Sequence, residues 1–320
     1  MRNTTTIIKK GVLDLVNLTL LGCGGNLPMP NRNLSSLFVS YKGKSILFDC
    51  GEGTQIAMRK YGTGFKDLGL ILISHLHGDH VFGLPGLLSS MGSCGKTDPL
   101  TIVGPAGITK MVDAILPMLG HMPYPISVIE NPPSSFVLER HEVFKEIDFH
   151  TMHLDHSMPC LGYSLTFTRL PEFSVEKATE NNVPIQVWKT LQKQLVAEYN
   201  GVYYTQDMVL GKKRKGIKLS FIADTRYFAG IDDFVKDSDL LVCEAMYGGL
   251  ADIEKTEKNK HMLFEESAKI AANGHVKRLV LTHFSPSMEK PEEYIENARN
   301  VFENVELGFD GMKMGLRYED

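Results

Sequence analysis

The apolar run Leu68–Ser74 passes directly into His75-Leu76-His77-Gly78-Asp79-His80. A run this apolar and β-rich reads as a strand buried on both faces, so the polar residues after it are delivered to the end of a sheet. Three imidazoles and one carboxylate fall within six residues, a donor set that suits zinc, manganese or iron and contains no thiolate. A turn at Gly78 lets His75 and His77 face one ion while Asp79 and His80 face a second. One catalytic ion normally takes three protein ligands and keeps a position open, so four ligands here predict two metals.

A two-metal site needs further ligands from other strand ends. Asp224 follows the expected strand Lys218–Ala223, where a carboxylate can bridge two ions, and His283 follows the expected strand Arg278–Thr282. One more histidine is expected from His150, His153 or His156, and spacing leaves the three open.

Around this motif, strand-like and helix-like stretches alternate. Val16–Leu21, Ser45–Asp49, Leu100–Val103 and Leu240–Cys243 read as further strands, and Ile108–Leu119 and Leu263–Ala272 as helices. The alternation predicts α/β architecture, sheets covered by helices, within one domain spanning 1–320. The segment 169–216 has weak apolar patterning and ends in a basic cluster. It reads as an arm inserted between two core strands and as a candidate substrate-binding element. Its cluster, Lys212, Lys213, Arg214 and Lys215, suits phosphate neutralisation or a solvated hairpin tip.

Composition sets the outer bounds. With 34 basic and 38 acidic side chains the chain carries −4, so any nucleic-acid surface is local. The five cysteines are scattered without a CxxC pair, which points to a reducing, cytoplasmic setting and away from a cysteine metal site. Arg2, Lys9 and Lys10 precede the apolar stretch Val12–Leu21, which Asp14 and Asn17 interrupt. It reads as a strand entering a glycine turn, and no membrane association is expected.

The histidine motif resembles the signature of the metallo-β-lactamase superfamily. The stretches Leu21-Gly-Cys-Gly-Gly25, Arg32-Asn-Leu-Ser-Ser36, Phe48-Asp-Cys-Gly-Glu-Gly-Thr-Gln55 and His80-Val-Phe-Gly-Leu-Pro-Gly-Leu-Leu88 are similar to the ribonuclease Z family in particular. The resemblance runs from Asn17 through nearly the whole chain. It implies an αββα four-layer sandwich with an inserted arm, and a phosphodiesterase that trims the 3′ trailer of precursor tRNA. Gly162-Tyr163, by the family's spacing, selects His156 as the remaining ligand. The resemblance further implies that His75, His77 and His156 hold one zinc, Asp79, His80 and His283 the other, and that Asp224 bridges. Asp79 and the pair His261 and Glu244 are then the proton-handling residues. Arg32, Asn33 and the basic cluster are candidate substrate contacts, and a homodimer is expected. The alternative is a related metal-dependent hydrolase of small or cyclic phosphodiesters; in either case two zinc ions per chain are expected, with manganese or iron as the other metals the donors suit.

Overall fold

The computed structural model describes residues 15–139 and 141–319; the basic residues Arg2, Lys9 and Lys10 lie outside them. The chain divides into two compact units, one running to Thr166 and resuming at Lys218–Arg317, the other comprising Phe167–Ile217 with the residues from Tyr318 on. The strands are β1 (Val16–Gly22), β2 (Ser36–Tyr41), β3 (Lys44–Phe48), β4 (Leu68–Leu72), β5 (Leu100–Gly104), β6 (Ile126–Glu130), β7 (Ser135–Phe136) and β8 (Ile147–Leu154). They continue with β9 (Cys160–Phe167), β10 (Val196–Tyr199), β11 (Val202–Thr205), β12 (Ile217–Ile222), β13 (Leu240–Glu244), β14 (Leu279–Thr282), β15 (Val305–Leu307) and β16 (Met312–Leu316).

In the larger unit these strands form two seven-stranded sheets, in the orders β16-β1-β2-β3-β4-β5-β6 and β15-β14-β13-β12-β9-β8-β7. Within the first, β3 to β6 run parallel, and within the second β12 to β15 do. Parallel interior strands bury both faces, which explains the unbroken apolar runs of β4 and of Leu240–Cys243 in β13. The sheets face each other: Phe48 on β3 packs on Phe221 of β12 with ring centroids 5.0 Å apart. The Tyr163 hydroxyl on β9 donates across to the Ile73 carbonyl at 2.7 Å.

Helices cover the outer faces. Helix Ile108–Leu119 buries Ile108, Val112 and Ile115, one stripe at helical spacing. Helices Thr54–Tyr61 and Leu84–Ser93 add Ala57, Met58, Leu84, Leu87, Leu88 and Met91 to the same core. Helix Phe264–Asn273 covers β13 and β14. Helices, sheet, sheet and helices make the four-layer αββα sandwich. The expected helix Leu263–Ala272 starts one residue later, because the Glu266 carboxylate accepts the Leu263 amide at 2.8 Å. The expected strand Leu68–Ser74 ends at Leu72, and the Ser74 amide turns to Asp49 Oδ1 at 2.7 Å.

The smaller unit holds two short helices, Val175–Glu180 and Ile185–Leu191, and the hairpin β10-β11. Its core is Ala178, Val183, Val187, Leu191, Ala197 and Val209, with Trp188 against Phe173 at 5.1 Å between centroids. Helices of six and seven residues are too short to display a period, which is why this segment reads as weakly patterned. The hairpin turns at Asn200 and Gly201, both at positive φ (53° and 79°), the Asn-Gly turn that matches strand twist. Lys212–Lys215 lies beyond the hairpin, in an irregular stretch before β12, so it is no hairpin tip. There Lys212, Lys213 and Lys215 are exposed, while Arg214 Nε donates to the Leu170 carbonyl at 2.7 Å.

Candidate metal centre

Parallel strands bring their carboxyl ends to one edge of each sheet, and the polar residues of the larger unit gather there. His75, His77, Asp79 and His80 follow β4, Asp224 follows β12, and His283 follows β14. His156 comes from the turn after β8. Of the three histidines left open by the sequence, His153 is exposed and His150 half-buried on β8, whereas His156 is buried beyond the strand end.

Two groups of ligand atoms result. His75 Nε2, His77 Nδ1, His156 Nε2 and Asp224 Oδ2 form the first, with separations of 3.0, 3.2, 3.5 and 3.8 Å for the pairs 75–77, 77–156, 75–224 and 156–224. Asp79 Oδ2, His80 Nε2, His283 Nε2 and Asp224 Oδ1 form the second, with separations of 3.2 to 3.5 Å. Ligands about 2.0–2.1 Å from a tetrahedral ion lie roughly 3.3 Å apart, which is the spacing seen. Each Asp224 oxygen belongs to a different group, so this one carboxylate joins them. The Asp224 Oδ1 atom is buried and has no hydrogen-bond partner. A buried carboxylate oxygen left so is costly unless a cation faces it, and the donor set fits divalent ions. No cysteine enters either group.

The electrostatics of the first group's histidines agree. Burial holds the His75 imidazole well below its usual pKa, with His80 adding to the effect, and burial likewise lowers His156 and His77. These three are therefore neutral, the form that donates a lone pair. His80 is buried too, yet the charges of Asp224 and Asp49 outweigh that burial and raise it. Asp224, despite complete burial, is held ionised by the surrounding imidazoles, His283 and His80 foremost.

Asp49 was not singled out by sequence reasoning, although it ends β3 as Asp224 ends β12. Its Oδ2 atom accepts from His80 Nδ1 and from the Ser74 hydroxyl, both at 2.8 Å, and that hydroxyl lies 3.0 Å from His75 Nδ1. One carboxylate thus orients an imidazole of each group. Both Asp49 and His283 sit at positive φ (54° and 61°), a conformation costing a non-glycine residue about 1–2 kcal/mol. Asp49 offsets it with its hydrogen bonds. Gly25 packs so closely that a Cβ there would lie 2.5 Å from the His283 ring. Replacing Asp49 with alanine is expected to weaken metal binding about 10–100-fold, measured by competition with a chromophoric chelator. Unchanged affinity would remove Asp49 from this role.

His261 stands beside the groups. Its Nδ1 lies 3.0 Å from Glu244 Oε1, and Glu244 is itself fixed by the amides of Thr225 and Met246, each at 3.0 Å. Burial alone would depress this imidazole; the charges of Glu244 and Asp224 overcome it and push the pKa up to about 9. Arg32 and Asn33 are occupied in the fold. The Arg32 guanidinium donates to the Ser285 and Met288 carbonyls at 3.3 and 3.0 Å, and the Asn33 side-chain amide to the Leu21 carbonyl at 2.9 Å.

Facing sheets, outer helices and histidine–aspartate groups at the strand ends define a metal-dependent hydrolase of the metallo-β-lactamase fold. Among solved structures, the short form of human tRNase Z aligns with a TM-score of 0.66 at 25% identity, covering 94% of this chain and 99% of that one. The Bacillus subtilis metallo-β-lactamase fold protein YhfI, at 18% identity, 93% of this chain, 98% of its own and a TM-score of 0.66, shares the fold. A family model described as Anti-Pycsar protein Apyc1 matches residues 16–116. Ribonuclease Z of Clostridioides difficile is 52% identical over 306 residues, 96% of this chain and all of the relative. That of Clostridium beijerinckii is 47% identical over 307 residues, with 96% and 100% coverage. The chain belongs to the ribonuclease Z family. It is a metal-dependent endoribonuclease, as the sequence resemblance implied.

Proposed function

We propose that the chain removes the 3′ trailer of precursor tRNA, holding two zinc ions per chain and acting as a cytoplasmic homodimer. The observation that carries the reading is the pair of ligand groups joined through the two oxygens of Asp224. His75, His77 and His156 would hold one ion and Asp79, His80 and His283 the other, with Asp224 between them. Bound there, two divalent ions supply an activated water at neutral pH and offset the charge developing at phosphorus.

The remaining steps fall to the chain's own residues. Asp79, whose Oδ2 accepts the Asn26 amide at 2.5 Å, orients the attacking water. His261, held at Nδ1 by Glu244 and lining the cavity, protonates the leaving 3′ oxygen through its other nitrogen. The Glu244 carboxylate at Nδ1 supports that assignment, since it favours the protonated imidazole. The exposed Lys212, Lys213 and Lys215 suit tRNA phosphates. The second compact unit, Phe167–Ile217, is the inserted arm in this reading.

The test is to incubate zinc-loaded protein with a precursor tRNA carrying a 3′ trailer, alongside bis-p-nitrophenyl phosphate. Cleavage after the discriminator base, lost on chelation, is expected. Hydrolysis of the small ester with an untouched tRNA would move the substrate to a small phosphodiester.

A further inference from the structure

The cavity over the ligand groups, about 690 Å³, is lined by side chains of both charges. Apart from the residues of those groups and His261, its charged lining among the described residues consists of Glu52 and Lys258. Glu52 stands in the loop before helix Thr54–Tyr61, whereas Lys258 stands near the end of helix Ile253–Asn259, three residues before His261.

The segment carrying Lys258 is firmly tied to the ligand groups. Lys260 ends the helix at φ 56°, with its amide on the Thr256 carbonyl. Its ammonium pairs with Asp155 at 2.6 Å, and its carbonyl lies 3.1 Å from His156 Nδ1. The Asn259 side-chain amide donates to the Tyr247 hydroxyl at 2.7 Å, which leaves that hydroxyl its own hydrogen to give. The Tyr247 ring stands edge-on to His261, with centroids 6.2 Å apart. Lys258, next to Asn259 in the chain, thus lines the cavity together with Tyr247 and His261, and these three offer donors. Lys258 is exposed.

Resting on the trailer-cleaving reading, we propose that Lys258, with the Tyr247 hydroxyl, is the subsite for the backbone phosphate one nucleotide from the scissile bond on the leaving-oxygen side. The direction follows from His261. In that reading this imidazole serves the leaving oxygen, so the strand continuing beyond that oxygen leaves past the segment 258–261, which carries both Lys258 and His261 to the cavity. A phosphate beside Lys258 and Tyr247 meets an ammonium and a hydroxyl, whereas one beside Glu52 meets a carboxylate. Lys258 is a specificity-determining residue in this arrangement: the contact exists only for a substrate that continues as a polynucleotide.

The experiment uses full-length, metal-loaded protein and two precursor tRNAs, one natural and one with a neutral methylphosphonate at that single linkage. Wild-type protein is expected to lose about tenfold in kcat/KM on the neutral linkage, the order of one charged hydrogen bond. Lys258→Ala is expected to lose about tenfold on the natural substrate, to lose nothing further on the methylphosphonate, and to show a salt slope shallower by about one. Lys258→Arg should restore most of the rate. A lysine that merely stabilises its helix end would lower both substrates alike, leaving the two losses additive; additive losses, or normal cleavage by Lys258→Ala, overturn the subsite. Failure of the wild-type protein to cleave the natural precursor would instead sink the trailer-cleaving reading and the subsite with it.

Discussion

Replacing Asp224 with alanine is expected to strip the centre of metal and to lower turnover by at least about a thousandfold. Most ligands in such a centre belong to one position, and their loss weakens one ion. Asp224 contributes Oδ2 to the histidines 75, 77 and 156 and Oδ1 to Asp79, His80 and His283. Its removal takes a ligand and a negative charge from both positions at once. A single electrostatic contact in an active site is worth about 10²–10³ in rate, so a shared one should exceed that. The measurement is metal per chain by elemental analysis, paired with the cleavage rate. Two ions retained by the alanine variant would show that the groups are filled independently.

The second large effect is expected at His261, and its signature is the opposite pairing. His261→Ala should keep its metal, because His261 Nδ1 is committed to Glu244 at 3.0 Å and stands 4.0 Å from Asp224 Oδ2. Turnover should fall about 10²–10⁴-fold, the usual contribution of a positioned acid or base. Metal content and thermal stability close to wild type would separate this loss from misfolding. An unchanged rate would remove His261 from proton transfer and leave the leaving oxygen to be protonated by solvent.

Much of this centre could be read before any fold was known, for a physical reason that differs from residue to residue. His75, His77, Asp79 and His80 are contiguous, and the buried strand before them announces where they go. Asp224 and His283 are legible by the same rule, each being a polar residue straight after an apolar strand. Asp49 obeys that rule too, but the sequence pattern places it inside the strand Ser45–Asp49, and it has no second ligand beside it to mark it as a donor. The Asn200-Gly201 hairpin was equally available as a two-residue signal inside a segment whose helices are too short to show a period.

Other features rest on contacts between parts of the chain far apart in sequence, which spacing cannot encode. Spacing alone leaves His150, His153 and His156 equivalent; the family resemblance points to His156, and the end of β8 and the carbonyl of Lys260, 104 residues away, make it the buried, oriented imidazole. The pairing of Glu244 with His261 depends on β13 meeting the helix end before Phe264. The withdrawal of Arg32 into the carbonyls of Ser285 and Met288 depends on a loop more than 250 residues on. The local sequence by itself determined which donors are present and that they sit at strand ends, because a buried strand's period and apolarity are local properties. Which donors share an ion, which are held by a second partner, and which basic residues remain free for a substrate were decided by packing the two sheets face to face.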